Sequence, residues 1–351
     1  MGGKKLAIGM FKNLHNWPLD HWHIEICSKC TLKCPRCTRQ EVPNGLTNTD
    51  LDLDWFKDNF NDEILHECKK ITFCGDDGDP IYAKHLIEII SWIRSKNQNI
   101  QFVIVTNGSY KTTKWWNKLG NILNETDHIH FSLDGWNQES NNQYRINCNW
   151  DSIIKGIETL KSSKVYKTWA AIAFKFNEDK LDHMESMAKK LGFDNFQLTL
   201  STKFGSNYQA YSINDPLEPS SKFVAKGRFT RTSTQLTDRK WIDKTTDIFT
   251  QRYKKTDVGV HSIIPLCMIG NKGLYINAEG KFYPCCWTGL RYEHNKNIFS
   301  YINNDNRSLG DILDDPMWGK LFLDMKMGSA PYECHEKCSS KKWSLQHATQ
   351  W

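Results

Sequence analysis

The chain has 351 residues, 39% hydrophobic and 12% aromatic, with a formal charge of +6. That length and apolar content support one large or two ordinary globular domains and exclude a disordered chain. No apolar run approaches the roughly 18 residues of a membrane helix, and residues 1–17 lack the core of a signal peptide, so the expected location is cytoplasmic. Gly2 is not followed by the Ser or Thr that N-myristoylation prefers, which sets lipidation aside.

Along the first 200 residues strand and helix patterns alternate. Strands are predicted at 21–26, 70–74, 101–106, 128–133, 168–176 and 196–201. Helices are predicted between them at 52–68, 85–96, 114–123, 150–163 and 179–192. Six β/α repeats in one run predict a parallel sheet with helices outside it, as a doubly wound sheet or a barrel, complete or partial. Residues 202–262 break the pattern; they are polar and read as a linker, lid or insertion. From 263 onward comes a hairpin in GLYINAEGKFYPCC, turning at Ala278-Glu279-Gly280, then an amphipathic helix within 308–328 and the segment PYECHEKC.

Twelve cysteines in a chain of this size, in a reducing compartment, point to metal or redox sites in preference to a disulfide framework. Nine fall in two regions, 27–37 and 267–338. Cys68, Cys74 and Cys148 stand apart and read as small buried residues. In CSKCTLKCPRC the four thiols could close a structural zinc site. The usual ferredoxin run is C-x2-C-x2-C-x3-C-P, which the spacing here does not match. A third reading uses Cys30, Cys34 and Cys37 alone. Three thiolates on a four-iron cluster leave one iron open, as a catalytic site requires. In WHIEIC, Trp22, Ile24 and Ile26 share one face and His23, Glu25 and Cys27 the other, so Cys27 closes the strand and the loop follows it. Loops at the C-terminal ends of parallel strands are where β/α proteins place active sites.

Cys30-Thr-Leu-Lys-Cys34-Pro-Arg-Cys37 after the first strand resembles the hallmark of the radical S-adenosylmethionine (SAM) enzymes. Four further marks agree. Gly78-Asp79-Pro80 resembles the family's GGEP motif, with Asp for Glu. Asn107 and Gly108 follow the third strand, Ser132 and Asp134 lie at the end of the fourth, and FKFNEDK with Lys175 follows the fifth. Singly, the glycines read as turn residues and Ser132 and Asp134 as helix caps; four marks in order at successive strand ends favour the cofactor reading. Two positions depart from the pattern. Arg36 stands where the family often has an aromatic residue against adenine, and Cys27 where it more often has Thr, Ser or Asn.

The resemblance implies an α/β fold, a partial (β/α)6 TIM-like barrel over residues 1–205, with a small C-terminal α+β auxiliary iron–sulfur domain over 263–351 and a polar basic linker or lid, 206–262, between them. It implies a 4Fe-4S cluster on Cys30, Cys34 and Cys37 whose open iron is chelated by S-adenosylmethionine. Electron transfer then cleaves the sulfonium, and the 5′-deoxyadenosyl radical takes a substrate hydrogen. Gly78, Asp79 and Pro80 would meet the methionine ammonium, Ser132 and Asp134 the ribose and methionine parts. Asn107 would complete the pocket, and Lys175 would reach a carboxylate. An electron donor such as flavodoxin or ferredoxin is the implied partner.

The C-terminal cysteines resemble the SPASM/Twitch extension. Their count fits one auxiliary 4Fe-4S cluster on Cys267, Cys285, Cys334 and Cys338, with a zinc ribbon as the alternative. Cys286, expected on a strand beside Cys285, would point to the opposite face. Four-thiolate ligation suits electron transfer, so the expected reaction is net oxidation (dehydrogenation) of a small-molecule or peptide substrate, with radical modification of a peptide (epimerisation or crosslink) or of an anionic nucleotide or RNA as the runner-up. Residues 222–255 carry ten Lys or Arg against three Asp, interleaved with aromatics. They form either a solvated lid or a clamp for an anionic substrate. A zinc-binding nucleic-acid module is the non-enzymatic alternative.

Overall fold

A computed structural model describes residues 17–41, 47–199, 201, 204, 215–220, 267, 273–289, 299, 302–303, 307–326, 331 and 334. Cys338 and the basic segment 222–255 lie outside the described residues.

Six parallel strands form most of the sheet: β1 (His21–Ile24), β2 (Lys70–Phe73), β3 (Gln101–Thr106), β4 (His128–Ser132), β5 (Tyr166–Ile172) and β6 (Asn195–Thr199). Their helices include α1 (Thr38–Glu41), α2 (Leu53–Asn59), α3 (Asp62–Glu67), α4 (Leu86–Lys96), α5 (Thr113–Ile122), α6 (Gln138–Asn142), α7 (Trp150–Thr159) and α8 (Leu181–Leu191). This is the predicted α/β partial barrel. Each strand divides its side chains by parity. Trp22, Ile24, Ile71, Phe73, Phe102, Ile104, Ile129, Phe131 and Trp169 are fully buried. So are the apolar stripes of the helices, such as Ile89, Ile90 and Ile93 on α4 or Trp116 and Leu119 on α5. The opposite parity forms a polar inner face.

The predicted helix over 52–68 is two helices. The Asn61 side chain accepts from the Ile64 N–H and starts α3 afresh after buried Phe60. The fifth strand stops at Ile172, four residues before its predicted end. The Asn177 amide oxygen accepts from the Phe174 N–H, and its NH2 donates to the carbonyls of Ile172 and Asp134, which turns the chain.

The C-terminal hairpin β7 (Leu274–Ile276) and β8 (Phe282–Tyr283) joins this same sheet. β7 pairs parallel with β1, giving the order β6-β5-β4-β3-β2-β1-β7-β8. Its turn falls where predicted, with Gly280 at φ 76°. The short helix α9 (Cys286–Gly289) follows, then α10 (Leu309–Leu313) and α11 (Met317–Lys326). The predicted helix over 308–328 is thus divided, at Asp315-Pro316, where proline has no N–H to continue a helix. Trp17 packs edge-on against Phe282 and Trp318 and donates its indole N–H to the Leu313 carbonyl, fastening α10 and α11 to the hairpin. Among the described residues no helix is long and apolar enough to cross a membrane.

Candidate active site

The chain leaves β1 through Glu25, Ile26 and Cys27. Leu51 N–H bonds the Ile26 carbonyl and Ser28 N–H the Thr49 carbonyl, so the strand's continuation is stitched to 47–51. Cys27 is 1% exposed, and its thiol donates to the Asp79 carbonyl at 3.4 Å. Burial pushes that thiol up to about 12. Cys30, Cys34 and Cys37 follow on one loop, Cys34 buried and the other two half-buried. The loop is held from within by buried Leu32, by Cys37 N–H on the Cys34 carbonyl, and by the Arg39 guanidinium on the carbonyls of Ser28 and Cys30. Thr31 and Lys33, between the first two thiols, are exposed.

Opposite lies the loop after β2. Glu25, fully buried, accepts from the N–H groups of Asp76 (2.6 Å) and Asp77 (3.1 Å). Burial, then the charges of Asp77 and Asp76, holds its carboxyl well above the usual range. A Cβ on Gly78 would lie 2.3 Å from the Cys27 carbonyl oxygen and 2.7 Å from the Lys29 nitrogen, and one on Gly75 would overlap the Gly78 carbonyl. Only glycine lets the two loops touch.

Asp79 stands beside them, with its carboxylate turned to the end of β3. One oxygen accepts from Thr106 Oγ1 (2.8 Å) and Ile81 N–H; the other accepts from the Asn107 N–H (2.6 Å) and side-chain amide (2.5 Å). Burial raises it to about 6. Asp79 is therefore a strap between the second and third strand ends, and Pro80 opens the short 3-10 turn 80–82 behind it. Asn107, taken up by that strap, also places its amide 3.7 Å from the Cys30 sulfur. Gly108 adopts φ 74°, with the Phe131 ring 2.9 Å from where a Cβ would be.

Ser132 is half-buried on the inner face of β4. Asp134 lies beyond the strand and is fully buried. One oxygen pairs with Arg145 at 2.6 Å and the other accepts from the Ile172 N–H at 2.7 Å. The Asn141 side chain caps the N–H groups of Asp134 and Gly135. Lys175 has an exposed side chain; its N–H holds the Leu217 carbonyl. Arg36 is buried and pairs with Asp215 at 2.6 Å, so part of the predicted linker, residues 215–220, lies against the cysteine loop.

Below these loops His23, Thr72, His128, His130, Ser132 and Thr168 share the polar parity and line the inner face. Burial, then the charges of Lys70 and His23, lowers His21 to about 3, so its imidazole is neutral where it meets Thr72. On the other flank Asp77 accepts from the Ala278 N–H at 3.2 Å, and His23 meets Tyr275 edge-on, tying the β7 turn to the glycine loop. Cys267 and Cys334 are buried and Cys285 half-buried. Cys286 is not on a strand: β8 ends at Tyr283, and Cys286 is the buried first residue of α9, so alternation does not decide where it points. Among the described residues no three His, Cys, Asp or Glu side chains are gathered as ligands of a single metal ion.

Sequence reasoning missed Glu25, Arg145 and Asn141 as builders of the site. A charged residue continuing a strand, as Glu25 does after HWHI, was the one available signal.

The Radical SAM superfamily model matches residues 24–191, and that of the SPASM iron–sulfur cluster-binding domain matches residues 267–340. The fold is similar to the crystal structure of Streptococcus suis SuiB, at TM-score 0.54 and 14% identity over 88% of this chain and 68% of that one. SuiB bound to its precursor peptide SuiA gives 0.54 and 14% over 91% and 69%. Native anSMEcpe with bound AdoMet gives 0.50 and 17% over 92% and 84%. Comparison with curated proteins gives no sequence match. The chain is thus built from a radical SAM domain, residues 24–191, followed by an SPASM iron–sulfur cluster-binding domain, residues 267–340.

Proposed function

We propose that the chain oxidises a C–H bond of a peptide substrate. In this reading Cys30, Cys34 and Cys37 hold a 4Fe-4S cluster with S-adenosylmethionine at its open iron. Cys267, Cys285, Cys334 and Cys338 would hold one auxiliary 4Fe-4S cluster, which would supply an acceptor for the electron that oxidation releases.

The observation that carries the reading is the division of labour among the four N-terminal cysteines. Cys27 is spent on the Asp79 carbonyl inside the fold. The other three share a loop at the C-terminal end of β1, facing the glycine loop, and this donor set fits three-thiolate ligation. When bound, the cluster and SAM supply an electron and a carbon radical able to abstract hydrogen.

The chain's own residues do the rest. Gly78 lets backbone approach the cysteine loop closely, so its neighbouring carbonyls can serve a ligand ammonium. Asp79 and Glu25 fix that loop without themselves facing the ligand. The inner row His23, Thr72, His130, Ser132 and Thr168 offers donors and acceptors to orient a polar substrate. A peptide is favoured over a small molecule because SuiB, in complex with its precursor peptide SuiA, has this fold.

The test is 5′-deoxyadenosine formation from SAM by anaerobically reconstituted protein with dithionite. Wild type and Cys27→Ala should form it, and Cys34→Ala should not, with less iron bound. No product from iron-replete wild type, or equal loss in Cys27→Ala, would overturn the assignment.

A further inference from the structure

Among the described residues the substantially exposed large apolar side chains are Tyr110 (45%), Ile146 (38%), Tyr166 and Leu323. The first two lie on neighbouring loops beyond the ends of β3 and β4. Tyr110, on the loop after β3, donates its hydroxyl to the carbonyl of Asn147, the neighbour of Ile146. Tyr110 and Asn147 are also the non-glycine residues with positive φ among those described, at 63° and 70°. Strained backbone at two touching loops, one displaying an aromatic ring to water, is retained where surrounding structure enforces it and commonly where function uses it.

This patch is fastened to the cysteine loop. The Asn147 side chain donates to the Thr31 carbonyl (2.8 Å), and Lys33 N–H donates to the Ile146 carbonyl (3.0 Å). Thr31 and Lys33 are the exposed residues between Cys30 and Cys34, so a molecule resting here touches the covering of two thiols. The rim is basic. Lys33 and Lys84 are exposed, and the Lys111 ammonium lies over the Trp115 ring at 4.7 Å. Lys29 is paired with Asp50 at 2.7 Å. An apolar centre with a cationic rim suits a transient protein encounter steered by charge.

We propose that Tyr110, Ile146 and the surrounding lysines are the docking surface for a small acidic electron-carrier protein that reduces the cluster on Cys30, Cys34 and Cys37. The inference rests on the function proposed above. The carrier loses one electron and the cluster gains it; no bond forms or breaks and no proton moves.

The experiment uses the full reconstituted protein as wild type, Ile146→Glu and Lys111→Glu, with iron content as the control for an intact cluster. Oxidised flavodoxin is titrated calorimetrically at two salt concentrations, and 5′-deoxyadenosine is measured with dithionite, which needs no docking. Wild type should bind flavodoxin more weakly as salt rises, and each variant should lose about tenfold or more in affinity. Dithionite-driven turnover should stay within about twofold of wild type. Equal affinity in wild type and variants, no binding by wild type, or a parallel loss of dithionite-driven turnover would overturn the docking surface. Absence of 5′-deoxyadenosine from wild type with dithionite would instead refute the proposed function, while the titration still decides the surface.

Discussion

Arg36→Met removes the ion-pair partner of a buried carboxylate. The Arg36 and Asp215 side chains are 2% and 0% exposed and pair at 2.6 Å; apart from Arg36, the Asp215 carboxylate accepts the Leu217 N–H. Removing one partner of such a pair costs about 3–5 kcal/mol, because the other charge stays buried and loses its ion-pair partner. The chain has a cheaper exit than global unfolding. Residues 215–220 are held by Lys175 N–H on the Leu217 carbonyl and by Ser220 N–H on Glu178, and they can lift away to hydrate Asp215. Hydrogen exchange at Leu217, Ser220 and Lys175 should therefore accelerate by roughly 10²- to 10³-fold, at about 1.4 kcal/mol per decade, while α4 and β3 keep their protection. The double variant Arg36→Met with Asp215→Leu removes both charges and should restore most of the protection. Unchanged exchange at those three amides in the single variant would refute the argument. So would a double variant as loose as the single, since the cost would then lie in packing.

Gly78→Ala should prevent the two loops from closing, because the methyl would meet backbone of Cys27 and Lys29 at 2.3–2.8 Å; iron bound after reconstitution should fall to the level of Cys34→Ala, measured on protein with unchanged far-ultraviolet circular dichroism. Glu25→Ala leaves the N–H groups of Asp76 and Asp77 without that acceptor and should cost about 2–5 kcal/mol in denaturant unfolding, against about 1–3 for Glu25→Gln, which keeps one. Asp79 has a folded value raised by burial from 3.8 to about 6, so its contribution to stability is whole below pH 3.8 and lost as pH rises through 6. The stability of wild type minus that of Asp79→Asn should accordingly fall by about 2 kcal/mol between pH 4 and 7, and a flat or rising difference would contradict the burial argument.

Legibility followed locality. The strands at 70–74 and 101–106 were read almost to the residue because β-branched and aromatic runs bounded by turn residues carry their own signal. The split at Asn61 was missed because an uninterrupted apolar period hides a cap that acts in the middle of it. The close of β5 was missed because it depends on Asn177 reaching back three residues, which spacing alone does not display. Cys27 could be separated from its three neighbours by strand parity, whereas its partner, the Asp79 carbonyl, lies 52 residues away. The joining of β7 to β1 was invisible for a similar reason: a parallel edge pairing across 250 residues leaves no periodic trace in either strand.

The acidic residues at the strand ends show most clearly what a motif does and does not specify. Read as a motif, Asp79 and Asp134 offer carboxylates to a ligand. In the fold Asp79 takes four donors from residues 81, 106 and 107, Asp134 takes Arg145 and the end of β5, and Glu25 takes two amides of the glycine loop. Each bridges a neighbouring strand end or loop, and each is buried, so none can turn outward without leaving several donors unpaired. Their hydrogen-bonded carboxyl groups fix the loops that carry thiols and backbone carbonyls, and those loops are held in place before any ligand arrives. Such an arrangement needs little rearrangement on binding, which is the condition for a site to act through preorganised polar groups.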